Sequence, residues 1–206
     1  MSTTPIPEGF IIPDFGATTR SAAPTSEART DYIGPASTGG PRKMAFICSK
    51  GNLDMAYPAL IMGNAALGEG VEVHIFFTFW GLDIINTKTY DSLKFTLSGN
   101  TAMHMPALGR IKPGLEHVSM PQALGNIPGM TSFATRMMNQ QMEDLEIPTI
   151  PDFLDLLQAS GAHMYACRLT FDMMKLLEAD LHEGVEGVIS AADFIEIAEG
   201  AQVVFV

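Results

Sequence analysis

The pattern of this chain predicts an open α/β sheet of five strands, mostly parallel, with helices on both faces. Three observations lead there. Short apolar runs rich in β-branched and aromatic residues recur along 44–206, helical signals separate them, and glycines stand at the junctions. Strands alternating with helices pair in parallel through right-handed crossovers, with the ligand crevice beyond the strands' carboxyl ends. The chain is 47% hydrophobic and only 17% charged, against about 25% charged in an average soluble domain. A sizeable core follows, and wholesale disorder is excluded.

The first strand is MAFIC (44–48), a short apolar run suited to burial on both faces. The turn SKGN leads into a helix over about 54–67, with Asn52 or Asp54 as cap, Pro58 near its first turn and GEG at 68–70 as its stop. VEVHIFF (71–77) is the second strand. A helix over 150–160 has Pro151 in its first turn and Gly161 as its C-terminal cap, and GAHMYAC (161–167) is the third strand. A short helix (171–178), the strand GVEGVIS (184–190), a helix (191–199) and the strand QVVFV (202–206) complete the series.

Two segments stand outside this alternation. Residues 1–42 are rich in Pro, Ser, Thr, Gly and Ala and end in GPASTGGP, which predicts a flexible leader; its apolar patch, Phe10, Ile11, Ile12 and Phe15, could lie across a neighbouring subunit. The domain proper then spans 43–206. Within it an insertion over about 83–148 carries seven Met, at 103, 105, 120, 130, 137, 138 and 142. Its part 131–145 has helical spacing, and the remainder reads as loop.

The net charge of -11 is unevenly placed. Residues 1–142 carry ten Lys or Arg and ten Asp or Glu, whereas 143–199 carry thirteen acids against only Arg168 and Lys175. Without a Lys/Arg cluster, nucleic acid and anionic membrane surfaces are disfavoured as partners. The longest charge-free stretch, 117–135, is broken by Pro and Gly and cannot span a membrane, and the N-terminus lacks a secretory pattern, so a cytoplasmic protein is expected. Cys48 and Cys167 are the only two cysteines, in no Cys/His metal spacing, so a disulfide framework and a zinc site are both unexpected, and no cofactor is expected.

Both cysteines end predicted strands and therefore face the crevice. Cys167 has the stronger electrostatic setting, just before a helix and beside Arg168, where unpaired N–H groups favour a thiolate. Packing as a small hydrophobe is the alternative for either cysteine. Cys48 is a candidate auxiliary thiol, because the two sulfurs could approach each other if the first strand neighbours the third. Ser49, Lys50 and Asn52 are polar donors at a helix N-terminus, suited to an anionic group or a charged sulfur intermediate. The loop lacks the GxxxxGK[ST] spacing of a nucleotide cradle. His74 reads as a satisfied buried histidine, Trp80 as packed at a strand end, and Met103, His104 and Met105 as a soft trio that could bind Cu(I).

Over about 44–206 the chain resembles the DsrE/DsrF-like sulfur-relay family, in its longer, Met-rich branch. The carrying features are SKGNLDMAYPALIMGNAA, HIFFTFWGLDII, IPGMTSFATRMMNQQMEDLEIPTIPDFLDLLQASG and MYACRLTFDMM, in that order. The resemblance implies a flavodoxin-like sheet, homo-oligomers, and a cysteine carrying sulfane sulfur in the turn ACxxxxDxM, which is Cys167. It also implies a TusA-like carrier or another persulfide donor as partner. The expected function is thus a sulfur carrier or sulfurtransferase. The rival is a non-catalytic binding or scaffold protein whose Met-rich insertion engages an apolar ligand, a partner protein or Cu(I).

Overall fold

The computed structural model describes residues 42–100, 104, 113–114, 117, 119 and 121–206. Five strands, β1 (Lys43–Cys48), β2 (Glu72–Phe77), β3 (His163–Cys167), β4 (Val185–Ile189) and β5 (Gln202–Phe205), form one sheet in the order β4-β3-β2-β1-β5. Every pairing is parallel. Five helices accompany them among the described residues: α1 (Leu53–Gly68), α2 (Met130–Asp144), α3 (Ile150–Ala159), α4 (Arg168–Met174) and α5 (Ala191–Ile197). The expected α/β architecture is therefore present.

Alternation along each strand decides which residues meet the main core. Phe46 and Cys48 of β1, Val73, Ile75 and Phe77 of β2, and Met164 and Ala166 of β3 pack with Leu60 of α1 and Phe153, Leu154 and Leu157 of α3. The other face holds a smaller cluster, in which Ala45, Phe76 and Cys167 meet Phe194 of α5, and the Phe76 and Phe194 rings stack at 4.5 Å. Val203 and Phe205 of the edge strand β5 remain exposed.

Local chemistry fixes the helix ends. Thr149 and Asp152 form a reciprocal capping box at α3, with Pro151 in its first turn, and Gly161 closes the helix at φ 88°. Ser190 and Asp193 form the same box at α5. One boundary differs from expectation. The helix anticipated at 171–178 begins at Arg168, immediately after the last residue of β3, so Cys167 itself is its N-cap.

The anticipated insertion is partly ordered structure. It contributes 3-10 turns at Tyr90–Ser92 and Gln122–Asn126 as well as α2, and a further 3-10 turn, Phe79–Ile84, leads into it. Leu93, Phe95 and Leu97 are buried, and Met130, Met138 and Met142 pack against the core clusters. The leader's patch at Phe10, Ile11, Ile12 and Phe15, together with Met103, Met105 and Met120, lies outside the described residues.

Two glycines let the loops after β1 and β2 touch. A Cβ on Gly51 would lie 2.3 Å from the Trp80 carbonyl oxygen, and one on Gly81 would lie 2.1 Å from the Cys48 carbonyl oxygen. Both obstacles are backbone, so neither can swing aside. Gly81→Ala should lower stability by about 2 kcal/mol or more, as overpacking against an immovable neighbour does. A fall in the urea midpoint is the readout, and an unchanged midpoint would refute this close approach.

Candidate functional site

β2 and β3 run in parallel with Phe77 opposite Ala166, so the residues that follow, Thr78 and Cys167, meet at the carboxyl edge of the sheet. The Cys167 side chain is only 6% exposed. Burial pushes its thiol up. Hydrogen bonds from the Thr78 hydroxyl, from the Thr170 backbone and hydroxyl, and from the Leu169 backbone more than offset burial, leaving the thiol below its ordinary value of 9.0. Each of these donors stabilises the thiolate, the form that attacks sulfur.

The donors are themselves braced. Thr170 is buried, its hydroxyl accepts from the Phe79 N–H at 3.1 Å, and it lies 3.4 Å from the Thr78 hydroxyl. The Thr78 N–H in turn donates to the Cys48 carbonyl at 2.9 Å, tying the loop after β2 to the end of β1. Phe79 adopts φ 46°, a left-handed conformation unfavourable for a bulky residue. The strain coincides with exposure of its ring beside the thiol's hydrogen-bond partners. Trp80, expected to pack at a strand end, is instead 64% exposed, as are Leu169 and Met173 on α4 to a similar degree. An apolar surface therefore adjoins the site.

Cys48 has the opposite environment. Its register partner is Phe77, which also opposes Ala166, so β2 stands between β1 and β3. Two strand spacings, roughly 9.6 Å, separate the two chains at that level. Cys48 also belongs to the main core and Cys167 to the cluster on the other face. The condition for the two sulfurs to approach, adjacency of the first and third strands, is not met. Burial pushes the Cys48 thiol up to about 12.

The remaining candidates divide similarly. Ser49, Lys50 and Asn52 occupy the loop after β1, at the same carboxyl edge as Cys167 but beyond β2. The Ser49 hydroxyl donates to the Val206 carbonyl at 3.0 Å, Lys50 is exposed, and Asn52 caps α1 without a side-chain hydrogen bond. Arg168, expected to act as a counter-charge to the thiolate, donates to the Val188 carbonyl at 2.6 Å and lies in the field of Asp193. Thr78 and Thr170 were missed in the sequence. Their signal is a hydroxyl directly after the second strand and another three residues after the cysteine.

His74 differs from the satisfied histidine expected. Its Nε2 is 2.7 Å from Glu72 Oε1, but its buried Nδ1 has no hydrogen-bond partner. His104 forms an isolated antiparallel bridge with Ser119 and is exposed; its neighbours Met103 and Met105 lie outside the described residues. Among the described residues, no helix is long and apolar enough to cross a membrane.

The pH profile of alkylation tests this geometry. Native Cys167 should react with iodoacetamide with a midpoint below that of an ordinary thiol, while Cys48 stays unmodified until the protein unfolds. Thr78→Val should move the Cys167 midpoint upward and slow its reaction several-fold at neutral pH, because the thiolate loses a donor. An unmoved midpoint would remove Thr78 from the site.

A family model described as DsrE/DsrF/DrsH-like matches residues 41–206. The sulfur carrier protein DsrE2 of Allochromatium vinosum is 36% identical over 157 residues, 76% of this chain and 92% of that protein. An uncharacterized protein of Bacillus subtilis, YrkE, is 26% identical over 165 residues, 80% of this chain and 97% of that one. A solved structure of a protein of unknown function from Methanobacterium thermoautotrophicum aligns with a TM-score of 0.46 at 11% identity, over 80% of this chain and 99% of the other.

Proposed function

Because the chain belongs to the DsrE/DsrF/DrsH-like family, we propose that it is a sulfur carrier whose Cys167 thiolate accepts sulfane sulfur in a cytoplasmic relay. The observation that carries this reading is the set of donors on the Cys167 sulfur, from Thr78, Thr170 and Leu169, which leaves the thiol below its ordinary value despite burial. The likeness to a protein named as a sulfur carrier supports it.

In the accepting step the Cys167 thiolate attacks the outer sulfur of a donor persulfide. A new S–S bond forms at Cys167 as the donor's S–S bond breaks, and the donor leaves as its thiolate. The proton on the transferred sulfur travels with it. The number of S–S bonds is conserved, so no external oxidant or reductant is needed, and the reverse step delivers the sulfur onward. The Thr78 and Thr170 hydroxyls and the adjacent N–H groups hold the charge on the attacking sulfur; the same donors are placed to receive the charge when Cys167 becomes the leaving thiolate.

The partner in this reading is a TusA-like carrier or another persulfide-bearing protein. The exposed Phe79, Trp80 and Leu169 supply an apolar contact beside the thiol, and the acidic last third of the chain favours a basic partner surface. A homo-oligomer belongs to the same proposal, supported by the exposed Val203 and Phe205 on the edge strand β5.

Incubation with a protein persulfide donor, followed by intact mass measurement, tests the assignment. The native chain should gain one sulfur atom, Cys167→Ser should gain none, and Cys48→Ser should retain most of the gain. Sulfur on the Cys167→Ser variant would overturn the assignment. Transfer from a basic donor should also slow severalfold as ionic strength rises through the range where the Debye length falls from about 10 Å to about 3 Å. A salt-independent rate would rule out electrostatic steering.

A further inference from the structure

The end of the sheet opposite Cys167 carries a second cluster of reactive side chains. Glu72 and His74 stand two residues apart on β2 and so share a face. His74 opposes His163 of β3 in the parallel register, and their rings stack with centroids 4.8 Å apart and planes 16° from parallel. One ligand atom from each of Glu72, His74 and His163 lies within 4.8 Å of the other two.

The surroundings suit ligation. His163 Nδ1 is 2.7 Å from Glu186 Oε1, an arrangement that fixes the ring and leaves Nε2 available, as the carboxylate partners of metal-bound histidines do. His74 is 5% exposed and has one more nitrogen than it has partners, since Nε2 meets Glu72 while Nδ1 is buried without one. Lys43 is the opposing charge, with its Nζ 3.4 Å from Glu72 Oε1 and donating to the Ile197 carbonyl at 3.3 Å.

We infer that Glu72, His74 and His163 form a binding site for one divalent transition-metal ion of the zinc class. Two imidazoles and a carboxylate are a donor set that such ions prefer over magnesium or calcium, and three protein ligands leave a fourth position for water. Donors on a tetrahedral zinc ion lie roughly 3.3 Å apart, so the Glu72–His74 pair, 2.7 Å apart, must open slightly while the wider separations, up to 4.8 Å, close. The Glu72 and His163 side chains, 38% and 39% exposed, have room to do so. The ion would join β2 to β3 at their amino ends, four residues along β3 from Cys167.

Titration of the full-length, metal-stripped chain with zinc chloride, followed by calorimetry, tests the site. Native protein and Cys167→Ser should each bind one equivalent with equal affinity. His163→Gln should bind at least tenfold more weakly, and Lys43→Gln several-fold more tightly, since it removes a cation from beside the ligands. Cobalt substitution should give ligand-field bands without a thiolate-to-metal charge-transfer band. Circular dichroism confirms the fold of each variant, and Lys43→Gln serves if His163→Gln does not fold. Failure of the native chain to bind stoichiometrically, undiminished binding by folded His163→Gln, or a thiolate band lost in Cys167→Ser would overturn the inference. The sulfur-transfer assay on Cys167 is unaffected by any of these outcomes.

Discussion

The parallel register between β2 and β3 is the constraint on which the rest of the structure's chemistry depends. Four rungs, from His74 opposite His163 to Phe77 opposite Ala166, fix both ends at once. At the carboxyl end they bring the Thr78 hydroxyl to the Cys167 sulfur. At the amino end they stack two imidazoles beside Glu72. A slip of β3 by one residue would turn His163 and Cys167 to the opposite face, and would move Met164 out of the main core with them. The hydrophobic alternation that holds the core is thus also what assembles the polar sites.

The two cysteines show how little sequence context says about a thiol. Both end a parallel strand, and both are nearly inaccessible. They differ in what meets the sulfur. Cys48 faces the core beneath α1 and α3, where burial acts on the thiol and pushes it up to about 12. Cys167 is buried too, though less deeply, and α4 begins at the next residue, where the Leu169 and Thr170 N–H groups, which have no partner within the helix, pull its thiol down. Burial then concentrates these hydrogen bonds, because charge–dipole interactions are stronger away from water.

Where the sequence was legible, one local rule decided the outcome. Apolar runs of five to seven residues placed all five strands, Thr149 with Asp152 and Pro151 marked the start of α3, and Gly161 marked its end. ACRLTFDMM placed the cysteine at a strand-to-helix turn for the same reason. The strand order was not legible, because β5 returns from β4 to the far side of β1 through a tertiary choice that no local pattern encodes. Every contact that depends on that order was hidden with it. Thr78 and Thr170 are 92 residues apart in the chain yet 3.4 Å apart in space. The Glu72, His74 and His163 cluster was half visible, as an acid and a histidine two apart on a strand, but its third member needed the register.

The acidic last third of the chain sharpens what a carrier at this position requires. The acids are close to Cys167 in sequence, none of them acts on its thiol, and Arg168, the adjacent cation, donates to the β4 backbone rather than to the sulfur. What lowers the thiol is therefore hydrogen bonding from neutral donors, Thr78, Thr170 and Leu169. Such donors act over the length of one hydrogen bond and are hardly screened by salt, whereas the surrounding carboxylates act over several ångströms and are screened. The two roles separate by range. Short-range dipoles set the reactivity of the proposed acceptor, and the longer-range field selects the charge of the surface that can approach it. An arginine on the sulfur would have merged these roles, strengthening the thiolate while weakening the attraction for a basic donor. In the proposed relay, their separation suits a partner that arrives quickly, meets the exposed Phe79, Trp80 and Leu169, and leaves once its sulfur has moved.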